Sequence, residues 1–362
     1  MSTTQTADQG TALVERIFGA SIAFMDIFSI YLGDKLGYYR ALASRDSLTA
    51  SDLAGATSTN TRYAREWLEH QAVGGFIKVD DTGDAETRRF SLPPGHVDVL
   101  TNEDSLMFVA PFAQILMGMT VPLEGLLKSY RTGIGVPYPE YGEDTRIGIA
   151  RGTRAMFINL LASEWVPALP DIEARLAADP PARIADFGCG SGWSSIALAQ
   201  GFPKVHVDGL DIDDNSILAA RDNATGLGLD ERLTFVNRDA GDPELHGAYD
   251  FACAFECIHD MSDPVSALRS MHNLVGDGGT VLIGDERVAD SFNAPGDDLE
   301  RLMYGFSIIH CLPVGTVEQP SAATGTVMRP STLEQYAHEA GFVRFEVLPI
   351  ENDLWRFYRL GA

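Results

Sequence analysis

The chain has 362 residues, 45% of them apolar and 22% charged, a globular balance on a length that exceeds one ordinary core. Its formal charge of −24, from 27 basic and 51 acidic side chains, repels a phosphate backbone and argues against nucleic acid as a partner. Lysine occurs only at Lys35, Lys78, Lys128 and Lys204, and no basic stripe forms anywhere.

Taken in order, residues from Thr11 to Ala41 carry helical spacing, with Val14, Phe18, Ile22, Met25, Ser29 and Leu32 on one side. So broad an apolar face belongs either to a subunit interface or to a core helix within the monomer. Thr49-Ala-Ser-Asp52 is a capping-box-like start, and Thr59 or Asn60 opens a second helix that Gly74-Gly75 stops. Phe76–Val79 and Arg88–Leu92, joined through Asp80, Asp81 and Asp84, read as a hairpin closed by Pro93-Pro94. Two short helices and a hairpin make a winged helix. Its arginines Arg62 and Arg65 are offset by Glu66 and Glu69, so a structural or dimerising module is expected rather than a DNA reader.

Glu103–Pro170 is expected to be helical and rich in Met and Phe, either packed as core or lining a ligand cavity. From Arg183 the pattern changes. Ile184–Phe187, Val205–Leu210, Leu233–Asn237, Phe251–Phe255 and Val281–Gly284 are short apolar runs separated by helical stretches. That alternation predicts an α/β fold with a Rossmann-like, doubly wound parallel sheet behind the N-terminal helical and winged-helix part. A helix at Thr332–Ala340 and strands near Phe345–Leu348 and Leu354–Tyr358 complete the tail. The division expected is 1–100 for the winged-helix part, 101–170 for a helical connector or substrate cap, and 171–362 for the catalytic domain.

The sharpest motif is Ala185-Asp-Phe-Gly-Cys-Gly-Ser-Gly192, which follows a strand and precedes a helix. Its glycines let the backbone turn tightly and approach a ligand closely. Asp211 falls about 20 residues further on, at the end of the second strand, where an acid can accept from both hydroxyls of a ribose. A dinucleotide loop would read Gly-x-Gly-x-x-Gly. Here Gly188, Gly190 and Gly192 follow Asp186, which resembles motif I of class I S-adenosylmethionine-dependent methyltransferases.

That resemblance implies S-adenosylmethionine as cofactor and S-adenosylhomocysteine as product, with the loop facing the methionine part. It extends to Ile212 beside Asp211, to Asp239 and Ala240 at the adenine, and to Phe255 and Glu256 at the mouth of the cofactor cleft. Asp277-Gly278-Gly279 resembles the family's turn before the fifth strand. Cys257-Ile-His-Asp-Met-Ser-Asp-Pro264 is similar to a segment of the winged-helix small-molecule O-methyltransferases, whose histidine is the general base; the residue here is His259. The acid that orients it corresponds to Asp285, with Glu286 adjacent. Val327 stands where a second acid would fall, and Met261 replaces an aromatic residue.

His310, after an apolar stretch, is a further candidate for the acceptor site, or a core histidine. The spacing of His259, Asp260 and His310 does not demand a metal. Gly133-x-Gly-Val-Pro-Tyr138 and Glu164-Trp-Val-Pro167 extend the likeness, over nearly the whole chain, to an actinobacterial group of winged-helix methyltransferases. The wider family homodimerises through its N-terminal helices, which implies the same partner here.

The expected reaction is methyl transfer to a small, mostly apolar acceptor through oxygen. Carbon, nitrogen or sulfur acceptors, a non-methylating enzyme and a cofactor-sensing regulator are the alternatives. Cys189, Cys253, Cys257 and Cys311 form no Cys-x-x-Cys pair and read as buried or cavity-lining thiols of a reducing compartment. The polar first residues lack a secretory pattern, and Asp26 interrupts the apolar run Ile17–Leu32 short of a spanning length. A cytoplasmic location away from membranes is expected.

Overall fold

The computed structural model describes residues 3–80 and 83–362, with side chains from residue 8 onward, so Asp81 of the expected hairpin turn lies outside the described residues. The chain divides into two compact units. One is built from residues up to Met117 with Ile147–Gly152, the other from Gly118–Arg146 with Thr153–Ala362.

The first unit opens with helix α1 (Thr3–Lys35), then α2 (Tyr38–Ala43), α3 (Ala50–Thr57) and α4 (Thr61–Val73). The helical stretch expected over Thr11–Ala41 is therefore two helices, because Gly37 takes a left-handed φ of 73° between them. Thr49 and Asp52 close a reciprocal capping box on α3, and the Asn60 side chain caps α4 through the N–H groups of Arg62 and Tyr63. Strands β1 (Lys78–Val79) and β2 (Phe90–Ser91) pair antiparallel as the wing. Trp67, Leu68, Tyr38, Tyr39, Leu53 and Phe90 form the core of this unit. Beneath them Asp34, 3% exposed, holds Arg151 at 2.6 Å, and Arg151 also reaches Glu103. From Asp8 to Met25 helix α1 is uncovered: Val14, Phe18, Ile22 and Met25 are each more than half exposed.

The second unit is built on a seven-stranded sheet. Its strands are β3 (Arg183–Phe187), β4 (His206–Asp211), β5 (Leu233–Asn237), β6 (Phe251–Phe255), β7 (Thr280–Glu286), β8 (Arg344–Val347) and β9 (Trp355–Gly361). They lie in the order β5-β4-β3-β6-β7-β9-β8, parallel except for β9, which runs antiparallel to both neighbours. Every residue of β6 and β7 is buried, as expected of strands covered on both faces. One face packs Ile184, Cys253, Leu282 and Phe357 under Trp165 and Ile196. The other packs Ala185, Ala252, Ile283 and Tyr358 under Leu268, Met271 and Leu333.

Strand order reverses between β3 and β6, and a crevice at the carboxyl ends of such a pair is where open α/β sheets bind ligands. Of the large apolar residues in the connecting helices, Phe108, Met119, Leu126, Phe157 and Trp165 are core, while Met107 and Leu127 are exposed. Phe157–Trp165 and Ser307–Cys311 are wound as π-helix, a form that concentrates at functional sites. Among the described residues no single helix is long and apolar enough to cross a membrane.

Candidate active site

The loop after β3 turns through three left-handed glycines, Gly188, Gly190 and Gly192, with φ of 64°, 52° and 81°. A side chain at Gly188 would strike the Cys257 sulfur at 2.7 Å, and one at Gly192 would strike the Phe235 ring at 2.8 Å. At Gly190 no atom lies within 4 Å of where a Cβ would stand, so the loop is open there. Asp211 ties the loop to β4: one carboxylate oxygen accepts the Gly190 N–H at 2.8 Å and the other accepts that of Asp213 at 2.9 Å. Burial raises the Asp211 pKa, and those backbone N–H groups oppose the rise.

Asp186 is turned inward. Its Oδ2 accepts both the Ser194 and Ser195 hydroxyls at 2.6 Å, which fixes the start of helix Trp193–Gly201 to β3. Burial pushes its pKa up to about 6 against the pull of those hydroxyls. Ile212 is 64% exposed beside Asp211. The Asp239 carboxylate accepts the Gly241 N–H at 2.8 Å, and Ala240 packs against the core below.

The Phe255 ring, at the end of β6, packs edge-on to Phe157 at 5.3 Å and flat against Trp355 at 6.2 Å, inside the aromatic core. Glu256, the next residue, bends out of the strand with a left-handed φ of 55°, a costly conformation for a residue with a Cβ. Its carboxyl group lies against that of Glu286 and close to Trp355. Burial raises both pKa values; repulsion from Glu256 adds to the rise at Glu286 and takes it well above its usual value, whereas at Glu256 repulsion from Asp285 adds to the rise and Glu286 and His259 oppose it.

Beside this pair His259, 2% exposed, places Nδ1 2.6 Å from Asp285 Oδ1. Its Nε2 lies 3.1 Å from Asp260 Oδ1, out of line for a hydrogen bond but close enough for ionic attraction. Burial alone would lower the His259 pKa, but the Asp285 and Asp260 carboxylates outweigh it and hold the imidazole cationic well above its usual range.

His310 and Cys311 also face Asp260, with His310 Nδ1 3.6 Å from the Cys311 sulfur. The His310 ring is wedged between Tyr141 and Tyr138, with ring centres 4.6 Å and 5.8 Å away. Its Nε2 has no hydrogen-bond partner among the described residues, although the residue is 2% exposed. Asp285 Oδ2, Glu286 Oε2 and Thr326 Oγ1 are likewise buried and unpartnered there. Buried polar atoms without partners mark places where a ligand or water completes the bonding.

The structure thus brings His259, Asp285, Glu286, Glu256 and His310 into one cluster and keeps Asp186 and Phe255 out of it. Sequence reasoning missed the tyrosines. Tyr130 and Tyr141 donate to the Ile308 and Ile309 carbonyls at 3.0 Å and 2.9 Å, pinning the π-helical turn that carries His310. Gly135 and Val136 donate to Thr316 and Pro313 of the same region. The Gly133-x-Gly-Val-Pro-Tyr loop was the available signal, since a glycine pair invites close backbone approach. All four cysteines are free, and two touch the glycine loop's supports: Cys253 by Asp186, and Cys257 donating to the Phe187 carbonyl.

A family model described as a methyltransferase domain matches residues 161–346, and one described as an Rv2258c-like winged HTH domain matches residues 20–102. The ubiquinone biosynthesis O-methyltransferase of Pseudomonas aeruginosa (strain UCBPP-PA14) is 28% identical over 207 residues, covering 56% of this chain and 80% of that protein. Among solved structures, human N-acetylserotonin methyltransferase in complex with S-adenosylmethionine aligns with a TM-score of 0.70 at 15% identity, over 100% of this chain and 99% of that one. The mitomycin 7-O-methyltransferase MmcR aligns with a TM-score of 0.68 at 18% identity, over the whole of both chains. At such identities the structural likeness speaks for the fold.

Proposed function

The chain belongs to the family that carries a methyltransferase domain and depends on S-adenosylmethionine, and from that premise we propose that it methylates an oxygen of a small, mostly apolar organic acceptor. The residues present fit the cofactor. Three glycines turn the loop, Gly190 leaves open space, and the Asp211 carboxylate stands beside it at the switch point of the sheet. When bound, S-adenosylmethionine supplies a methyl group on a sulfonium and is left as S-adenosylhomocysteine. In this reading Gly188, Gly190 and Gly192 face its methionine part, Asp211 holds the ribose hydroxyls, and Ile212, Asp239 and Ala240 take the adenine. Asp186 acts indirectly, by bracing the loop against Ser194 and Ser195.

The observation that carries the oxygen reading is the cluster of two imidazoles and four carboxyl groups at the carboxyl ends of β6 and β7. A hydroxyl must lose a proton to become a good nucleophile, and such a cluster can accept it, whereas a thioether or amine would need no base. Tyr304 and Ile308, both part-exposed on the stretch leading to His310, suit an apolar acceptor body. The test is transfer of an isotope-labelled methyl group to a panel of phenols, alcohols, amines and thiols, read by mass spectrometry. Label on amines or thiols alone would refute the oxygen reading.

The N-terminal unit is assigned to pairing with a second copy of the chain rather than to DNA. Three arginines of α4 and the wing are committed to acids: Arg62 to Glu66, Arg65 to Glu86 and Arg88 to Glu69, each at 2.5 Å. The exposed apolar length of α1 exceeds what a monomer ordinarily leaves bare.

A further inference from the structure

We propose that His259 Nε2, the Asp260 carboxylate and the Cys311 sulfur form a binding site for a thiophilic divalent cation, zinc above all. A nitrogen of His259, a carboxylate oxygen of Asp260 and the Cys311 sulfur lie within 4.8 Å of one another. One imidazole, one carboxylate and one thiolate are a donor set that zinc takes, with a fourth position left for water.

The nearest pair in that set is spaced as two ligands of one ion are. His259 Nε2 and Asp260 Oδ1 are 3.1 Å apart yet out of line for a hydrogen bond. Asp260 Oδ1 is buried with no hydrogen-bond partner among the described residues. Nitrogen and oxygen donors bound to a tetrahedral zinc stand about 3.3 Å from each other. On the far side of the ring, Asp285 Oδ1 holds Nδ1 at 2.6 Å. A carboxylate on one ring nitrogen fixes the direction of the imidazole and turns the other nitrogen toward a metal.

The ligands come from two turns that are locked together. His259 and Asp260 sit on the short turn after β6, and Cys311 ends the π-helical turn Ser307–Cys311. The Gly325 N–H donates to the His259 carbonyl at 3.1 Å, and the Ser262 hydroxyl donates to the Gly315 carbonyl at 3.0 Å. Gly315 has no side chain to hold the turns apart: a Cβ there would stand 3.1 Å from the Asp260 carbonyl oxygen. The Thr326 hydroxyl, 1% exposed and unpartnered among the described residues, lies against the Cys311 sulfur, where a water on the fourth position would satisfy it. His259 and Cys311 are buried, while the Asp260 side chain is 23% exposed and gives the ion its way in.

Binding is a balanced exchange. The dication displaces the proton of Nε2 and that of the thiol, both released to solvent, and its two charges meet the thiolate and the Asp260 carboxylate. On the oxygen reading the ion also occupies the imidazole nitrogen that would accept the proton, so a loaded site is a silenced enzyme. That consequence rests on the oxygen reading; the binding does not.

The test is a titration of the metal-free, full-length protein with cobalt(II), whose colour reports its ligands, followed by zinc. One cobalt should bind per chain, with a sulfur-to-metal charge-transfer band and the intense visible absorption of a four-coordinate ion. Zinc should erase both. Cys311→Ser should remove the charge-transfer band. Asp285→Asn keeps all three ligands and should weaken zinc about 10–100-fold by loosening the ring. Asp260→Asn should weaken it at least as much, and decides the matter if Cys311→Ser does not fold. No cobalt band in the wild type, a band that survives Cys311→Ser, or wild-type affinity in both aspartate variants overturns the site.

Zinc should also stop transfer of the labelled methyl group to the phenols and alcohols of the isotope panel, and a chelator should restore it. Transfer that continues with zinc bound would overturn the silencing. Failure of the metal-free protein to label any hydroxyl would strike the oxygen reading instead, and the cobalt band would still decide the site.

Discussion

Asp211 and Gly190 are joined by a 2.8 Å hydrogen bond from the loop N–H to the carboxylate, so the acid proposed to hold the ribose also shapes the loop proposed to hold the methionine part. Asp211→Ala removes both effects at once. Charge-assisted hydrogen bonds are worth about 1.5–3 kcal/mol, which corresponds to a loss of roughly ten- to hundredfold in cofactor affinity. Calorimetric titration with S-adenosylmethionine and S-adenosylhomocysteine measures it. Affinity equal to that of the wild type would show that Asp211 is not at the cofactor.

Gly192→Ala is expected to cost about 1–3 kcal/mol of stability, since it puts a Cβ at a left-handed φ and against Phe235 and Ala220. Urea denaturation reads the loss. The same change at Gly190, also left-handed but with space around it, should cost less.

Stability should fall as pH rises, through a traceable set of groups. His259 is raised in the folded protein, so its contribution is complete below its unfolded pKa of about 6.5 and is lost as pH climbs through the folded value. Glu256 and Glu286 are also raised, so the folded chain holds protons above about pH 4.5 that the unfolded chain has released. Glu286→Gln keeps a hydrogen-bonding amide and removes the repulsion. Its melting temperature should exceed that of the wild type by a margin that widens from pH 5 to pH 8. A constant or shrinking margin would mean that the pair does not share a proton.

Phe18 and Ile22 are 67% and 51% exposed along α1. Phe18→Glu with Ile22→Glu should convert a dimer into a monomer in sedimentation-velocity measurements, with the fold retained by circular dichroism. A wild-type protein that sediments as a monomer at micromolar concentration would end the pairing assignment.

The strands of the sheet were legible because each is a short apolar run between turn signals, and Leu233–Asn237 and Phe251–Phe255 match to the residue. The Asn60 cap, the glycine loop and Asp211 were legible for the same local reason. The antiparallel insertion of β9 between β7 and β8 was not, because strand order depends on pairing across the sheet rather than on any run of residues. The face that the Phe255 ring takes was not legible either, because a fully apolar strand gives no alternation to say where each side chain points. His259 and Asp285 could be suspected from resemblance, but the second carboxylate at Nε2 comes from the next residue in the chain, Asp260, and only the turn brings it round. The Tyr141 contact with the Ile309 carbonyl joins residues 168 positions apart, and no spacing rule reaches that far.

The free cysteines give the molecule a chemical character that their number would not suggest. Burial raises all four thiol pKa values, and the nearby Asp186, Asp285 and Asp260 carboxylates raise them further at Cys253, Cys257 and Cys311 respectively. Since the thiolate is the reactive form, a site rich in sulfur is nearly inert to alkylation and mild oxidants while it stays folded. A chromogenic disulfide reagent should therefore find almost no reactive thiol in the native protein and four in denaturant, which makes its reaction rate a gauge of how often the crevice opens.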